Sequence, residues 1–320
     1  MGSESHRPVA RAAPIEVLAL FGPTGVGKTE VALALARRLR AAGERPVAVS
    51  ADALQIYAGL EILTGAATPT QREELEHRLV SIVSPRESFS AGRYASLAHA
   101  EIDALLAAGA RPIVVGGTGL YLRAALGELA WRPPPEEALR ERITAQLEAR
   151  GPQELHGELA RRSPDVAAGI DPGDRQRIVR ALELLEATGE AGGIGTQPGT
   201  PPSQLWTEEM RRPTFLAGLT MEREELYRRI DARVDAMVRA GVVEEVTRVQ
   251  RAGAGASARK ALGFRELLDG DVEAMKRRSR NYARRQLTWM RKLAGVHLFD
   301  LSTRTPEEVA AEIASAGLGR

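Results

Sequence analysis

A chain of 320 residues, 43% of them hydrophobic and 27% charged, has enough apolar material for a sizeable core and is not a disordered protein. It has no cysteine, which excludes disulfides, thiol catalysis, thiolate zinc sites and iron–sulfur clusters and fits a reducing compartment such as the cytoplasm; no apolar run approaches the roughly 18 residues of a membrane span. Its 44 lysines and arginines against 42 aspartates and glutamates leave a formal charge of +2, so overall charge alone predicts no partner.

Residues 1–13 read as a disordered leader: there is no secretory apolar stretch, and His6 stands where a myristoylation signal needs Ser or Thr. Ile15 to Phe21 is a short apolar run that leads into Gly22-Pro23-Thr24-Gly25-Val26-Gly27-Lys28-Thr29 and then into a helix-forming stretch, a strand–loop–helix order. Pro46 to Ser50 and Ile113 to Val115 read as further strands, with a helix over 93–109 stopped at Gly109. Strands alternating with helices predict a parallel sheet covered on both faces. After the breaker Trp131-Arg132-Pro133-Pro134-Pro135 the pattern becomes helical only, at about 136–150, 152–162 and 174–188, and residues 189–202 read as a glycine- and proline-rich loop. Phe215 to Leu219 returns as a strand, followed by long helices at about 222–252, 258–269 and 271–293. The expected fold class is therefore α/β: a core formed by 14–130 and 206–320, with a helical insertion at 131–205 and a helical C-terminal part.

Residues 22–29 match G-x-x-x-x-G-K-[ST] in the required context, after a strand and before a helix. Glycines let backbone N–H groups turn inward around an anion, and the helix N-terminus adds partial positive charge. Lys28 supplies a full charge for outer phosphate oxygens, and the Thr29 hydroxyl suits Mg²⁺ bridging two phosphates. The motif predicts a diphosphate site and leaves the reaction open.

The second strand ends in Ser50-Ala51-Asp52-Ala53-Leu54-Gln55-Ile56-Tyr57, on the side of a parallel sheet where ligands bind. Three roles compete for Asp52: a Mg²⁺ ligand, a general base, or a cap on the following helix. The third strand ends in Gly116-Gly117-Thr118-Gly119, where Thr118 offers a hydroxyl. From Lys276 to Lys292 there are eight basic residues and no acidic one, a stripe that suits a polyanion better than a general stickiness.

These segments, with HRLVSI at 77–82, VVGGTGLYL at 114–122, DRQRIVRALE at 174–183, LYRRIDARVDAM at 226–237, GFREL at 263–267 and RNYARRQLTWMR at 280–291, occur in the order found in the tRNA dimethylallyltransferase family, also called tRNA isopentenyltransferases. The chain resembles that family from about residue 15 to 300. The resemblance implies transfer of a dimethylallyl group from its diphosphate to N6 of the adenine just 3′ of the anticodon, tRNA position 37, with Mg²⁺ as cofactor and the tRNA anticodon stem-loop as partner, in a cytoplasmic monomer. It implies that Arg229 joins residues 22–29 on the diphosphate and that Lys28, Asp52 and Thr118 are catalytic, with Asp52 as the base. It places Asp52, Ala53, Leu54, Gln55 and Thr118 around the flipped nucleotide, and Arg140, Gln176, Arg177, Ile178, Val179, Arg180, Arg280 and Arg284 along the tRNA. In the helical insertion, Arg177 and Arg180 share one helix face.

Two departures from the family pattern stand out. Ala53 replaces the usual serine after the aspartate, and Ile62-Leu63-Thr64-Gly65-Ala66-Ala67-Thr68-Pro69 replaces a shorter segment with a lysine. The competing readings are a dimethylallyltransferase acting on free AMP or ATP, a small-molecule kinase with the same loop, and a non-enzymatic RNA-binding module. The kinase does not explain Gln176-Arg177-x-x-Arg180 or the basic last helix, and the module does not explain a complete phosphate loop followed by an aspartate at the next strand end.

Overall fold

The computed structural model describes residues 14–131, 136–189 and 205–318. The expected leader, most of the 189–202 loop and Arg132 to Pro135 of the breaker lie outside the described residues. The chain forms two compact units: one from residues 1–127 with 210–320, and one from Glu128–Glu209.

The larger unit runs β1 (Val17–Phe21), α1 (Lys28–Ala41), β2 (Arg45–Ser50), α2 (Glu61–Thr64), α3 (Pro69–Glu74), β3 (His77–Arg78), α4 (Ala91–Ala107), β4 (Ala110–Gly116) and α5 (Gly119–Leu126). The smaller unit holds α6 (Glu137–Arg150), α7 (Pro152–Arg162), α8 (Pro164–Ala168) and α9 (Arg175–Thr188). The larger unit resumes with β5 (Thr214–Thr220), α10 (Arg223–Arg239), α11 (Val242–Arg251), α12 (Phe264–Leu268), α13 (Val272–Met290), β6 (Val296–Asp300) and α14 (Pro306–Leu318).

Six parallel strands form one sheet in the order β3-β2-β4-β1-β5-β6. Leu18, Leu20, Ala48, Ile113 and Ala217 on one face pack with α1 and α14 in a single core built mostly of Leu, Val, Ile and Ala, with Phe215, Met221 and Phe299. The alternate residues Val17, Ala19, Phe21, Val47, Val49 and Val114 are also buried, against α4 and α5. A sheet buried on both faces is why its central strands read as short unbroken apolar runs. Strand order reverses beside β1, so the loops after β1, β2 and β4 open into one crevice at the C-terminal edge, where α/β sheets bind ligands.

Three expectations are corrected. The helix expected over 222–252 is two helices, because the chain turns at Gly241, φ 89°. The helix expected over 258–269 is a 3₁₀ turn at Ala258–Lys260 and the short α12, separated by Gly263 at φ 92°. The C-terminal part is not helical throughout: β6 extends the sheet, and α14 packs on α1.

The smaller unit has its own core of Ile143, Leu147, Leu155, Leu159, Ile178 and Leu182. Glu183, fully buried there, is held by Arg140 (Nε to Oε1 2.8 Å, Nη2 to Oε2 3.2 Å) and by Arg180 (Nη1 to Oε2 3.3 Å).

Candidate functional site

The loop between β1 and α1 turns at Gly25 and Gly27, φ 83° and 106°, a backbone that L side chains rarely adopt and that aims successive N–H groups inward. Val26 anchors it: the side chain is fully buried in the core, so only its backbone can serve an anion. Gly22 and Pro23 are also buried, and their carbonyls each accept a hydrogen bond from Lys28 Nζ at 2.9 Å. Burial first and Arg233 second pull the Lys28 ammonium down to about 8, while Asp52 and Glu30 act the other way.

Thr24, Gly25, Gly27, Lys28 and Thr29 line a cavity of about 940 Å³. The same cavity is lined by Asp52, Leu54 and Gln55 from the end of β2, by Arg229 and Arg233 of α10, and by Tyr282 and Gln286 of α13. Ile62, Leu63, Val234, Met237, Leu262 and Met275 give its wall an apolar part, alongside the polar Glu61, Gln71, Arg72 and Ser279.

Asp52 Oδ1 accepts the Leu54 N–H at 2.9 Å and the Gln55 N–H at 3.4 Å, so the capping role is real, although it closes a turn and not a helix. Its Oδ2 takes no hydrogen bond from a described residue. Gln55 Oε1 accepts the Ser50 hydroxyl at 3.0 Å, and its Nε2 lies 3.4 Å from the carbonyls of Thr64 and Gly65. Ala53 and Thr118 sit just behind the lining: the Ala53 N–H donates to Thr118 Oγ1 at 3.4 Å, and Thr118 Oγ1 is 3.3 Å from the Tyr282 hydroxyl. Burial lifts the Tyr282 phenol to about 12, so it stays protonated and can donate. Tyr57 belongs to the core.

On α10, Arg229 and Arg233 are one turn apart and face the cavity. Arg229 Nη2 would stand 3.7 Å from a Cβ at Gly27, beside the phosphate loop. Arg233 donates to the Gly65 carbonyl at 3.4 Å; its burial lowers its pKa, and Glu30 and Asp52 oppose that. The atypical 62–69 segment is therefore cavity wall. It is held from behind by buried Glu245 of α11, whose carboxylate accepts the N–H groups of Ile62 (3.0 Å) and Leu63 (2.8 Å) at the start of α2. Burial pushes the Glu245 carboxyl up.

Sequence reasoning missed Arg233, Glu245, Tyr282 and Gln286. The i, i+4 spacing of Arg229 and Arg233, and the 282, 286, 289 face of α13 opposite Arg277, Arg280, Arg284 and Arg291, were the available signals. Trp289 packs on α5: a Cβ at Gly119 would lie 2.2 Å from its ring. His77 sets Nδ1 at 2.5 Å from the Leu75 carbonyl, a structural placement.

The remaining expected residues fall in two groups. On α13, Arg280 is paired with Asp231 of α10 at 2.6 Å, while Arg284 is exposed beside Asn281. In the smaller unit, Gln176 and Arg177 are exposed at the start of α9, Val179 is half-buried, and Arg140 and Arg180 are turned onto Glu183. Ile178 has its side chain 0% exposed in the core of that unit, which leaves its backbone for the contact that the family pattern implies.

The oxygens around the loop suit Mg²⁺. The Thr29 hydroxyl and the Asp52 and Glu30 carboxylates line one cavity, and Mg²⁺ takes few protein ligands when phosphate oxygens and water complete its shell. Among the described residues, no three His, Asp or Glu side chains form a cluster that could hold a metal by themselves.

A parallel sheet whose glycine loop opens a helix into a cationic cavity defines a P-loop protein built for a phosphorylated ligand. The family model described as IPP transferase matches residues 55–293, and the chain belongs to that family, the tRNA dimethylallyltransferases. It is 37% identical over 313 residues to a tRNA dimethylallyltransferase of Geobacillus thermodenitrificans, covering 93% of this chain and 94% of that one. It is 42% identical over 299 residues to one of Rhodospirillum centenum, covering 89% and 91%. The crystal structure of the full-length tRNA isopentenylpyrophosphate transferase from Bacillus halodurans superposes with a TM-score of 0.67 at 32% identity, covering 95% of this chain and 96% of that one.

Proposed function

We infer that this chain carries out the reaction of its family: it is a tRNA dimethylallyltransferase that moves the dimethylallyl group from dimethylallyl diphosphate to N6 of the adenine at tRNA position 37 and releases diphosphate. The observation that carries the reading is one cavity lined by a phosphate loop, by Arg229 and Arg233, by the Asp52 carboxylate, and by apolar side chains such as Ile62, Leu63, Val234 and Met237.

Loss of diphosphate from an allylic carbon leaves negative charge on the departing oxygens and positive charge on the allyl group. Loop N–H groups, Lys28 and Arg229 stabilise those oxygens, and their fixed positions avoid reorganisation as charge develops. The apolar wall accommodates the branched hydrocarbon and keeps water from capturing it. Mg²⁺, held in part by the Thr29 hydroxyl, supplies charge neutralisation on the phosphate oxygens when bound. The adenine amino group is a weak nucleophile and must lose a proton as the C–N bond forms. Asp52 Oδ2 accepts that proton while Oδ1 keeps its turn, and general-base help of this kind is worth about 10²–10⁴-fold. Thr118 positions the reacting groups, and Gln55 reads a base edge by exchanging its long contacts for the nucleotide.

Gln176 and Arg177 at the head of α9, and Arg284 on α13, offer exposed groups for RNA phosphates. The working form is a cytoplasmic monomer. No helix among the described residues is long and apolar enough to cross a membrane.

The test is transfer of label from dimethylallyl diphosphate, offered in parallel to unmodified tRNA, AMP and ATP with Mg²⁺ present. Label on the adenine after the anticodon is expected. Label in AMP or ATP alone would move the acceptor to a free nucleotide, and label nowhere would overturn the transferase reading.

A further inference from the structure

One face of α13 is turned into the catalytic end of the sheet, and its most buried polar side chain is Gln286, 4% exposed. Its Oε1 accepts the Thr24 N–H at 2.8 Å, and its Nε2 donates to the Gly117 carbonyl at 2.8 Å. The amide orientation follows from its partners: a flipped amide would set N–H against N–H and oxygen against oxygen. Thr24 lies in the phosphate loop after β1, and Gly117 immediately precedes Thr118 after β4. A single planar amide thus spans the two loops. Gly117 has no side chain for the same reason, because a Cβ there would stand 2.3 Å from Gln286 Nε2. One turn earlier on the same helix, Tyr282 meets the Thr118 hydroxyl.

We propose that Gln286 is a positioning residue for the transfer reaction, fixing the gap between the phosphate loop that takes the leaving group and the Thr118 loop that faces the acceptor. The inference rests on the reaction proposed above. Both loops leave neighbouring strands that are paired in register as far as Phe21 and Gly116. Beyond the end of that pairing, the two hydrogen bonds of one amide fix the spacing of the loops. Catalysis by fixed dipoles depends on such spacing, and a displacement of about 1 Å costs on the order of a hundredfold in rate.

Gln286→Met keeps the length of the side chain and removes both hydrogen bonds. Gln286→Glu keeps the size and the acceptor for Thr24 but sets a second oxygen against the Gly117 carbonyl. For the full chain and each variant, binding sites are first counted by calorimetric titration with inorganic diphosphate and Mg²⁺, and kcat is then expressed per site. This separates a misfolded fraction from slowed chemistry. The expected result is a fall in kcat per site of about tenfold or more for both variants, and a KM for tRNA within about twofold of the parent. Unchanged kcat per site in both variants would overturn the proposal. So would a raised KM for tRNA at constant kcat, which would move Gln286 into RNA binding. A parent chain that transfers no label removes the reaction itself, whereas an active parent with equally active variants removes only this role for Gln286.

Discussion

Arg233 lies across Gly65: its guanidinium donates to the Gly65 carbonyl, and a methyl group on Gly65 would stand 1.6 Å from Nη2. A segment that departs from the family pattern thereby sets the place of a cavity cation. Arg233 in turn is within electrostatic reach of Lys28 and Asp52, so the wall of the cavity and its charges are one construction.

Gly65→Ala is expected to push Arg233 out of the wall and raise the KM for dimethylallyl diphosphate by about tenfold, the scale of one charge-assisted hydrogen bond. Gly43→Ala is the control. Gly43 has φ 84°, against 57° at Gly65, with nothing within 4 Å of an added Cβ. Both substitutions incur the left-handed cost of about 1–2 kcal/mol in stability, and only the first should change KM. Equal kinetics for the two variants would show that Arg233 has no part in donor binding.

Lys28 supplies the pH dependence. Its burial, and next the Arg233 charge, bring its pKa to about 8 in the ligand-free chain. A diphosphate binds the ammonium form. Below that pKa the ammonium is already present and affinity is flat. Above it a proton must be taken up on binding, so affinity falls by about tenfold per pH unit as pH rises. A profile of kcat/KM for dimethylallyl diphosphate against pH should break downward near 8. Lys28→Arg should lack that break even if its overall rate is lower, because a guanidinium stays charged.

How much of this was legible from sequence depended on whether the signal was local. The phosphate loop is eight consecutive residues with a strand before and a helix after, so pattern and context coincide. Asp52 was legible as a strand-end carboxylate; its Oδ1 closes a turn, and the base role proposed above falls to Oδ2. Strand β6 was not read because only Phe299 of its five residues is buried, with Leu298 exposed, so no alternation marks it. Helix α14 did carry a start signal: Thr305 accepts the Glu308 N–H and Glu308 accepts the Thr305 N–H, a capping box, with Pro306 at the first position. Gln286 and Tyr282 were illegible for a different reason. They sit among arginines on a helix that resembles a solvated surface, and only the loops 160 residues and more away in the chain bury them.

In the smaller unit, stability and RNA binding should separate by residue. Arg177 is exposed and, among the described residues, paired only with Asp174, which also caps α9. Arg177→Ala should leave thermal unfolding unchanged, weaken tRNA binding and reduce the salt slope by about one counterion. Arg140→Ala removes one of two partners from buried Glu183, and should lower stability by about 1 kcal/mol once screening of the half-exposed arginine is allowed for. Arg140→Lys should not restore it, since an ammonium cannot reproduce the two-point contact. Thermal unfolding with tRNA binding at several salt concentrations distinguishes the two. Loss of stability in Arg177→Ala, or none in Arg140→Ala, would reverse the assignment.

Asp52 requires two substitutions because its Oδ1 closes a turn and the proposed base is its Oδ2. Asp52→Ala deletes both the base and the acceptor that holds the Leu54 and Gln55 N–H groups. Asp52→Asn keeps an acceptor for the turn and removes the proton-accepting carboxylate. Both should lose about 10²–10⁴ in kcat, the range for general-base help. Only Asp52→Ala should also disturb the turn, which carries Gln55, and so raise the KM for tRNA. Single-turnover transfer to saturating tRNA measures the first effect, and tRNA titration measures the second. Full activity in Asp52→Asn would leave the carboxylate with no role beyond its turn, and the proton from the adenine amino group would then have to leave by way of solvent or another cavity residue.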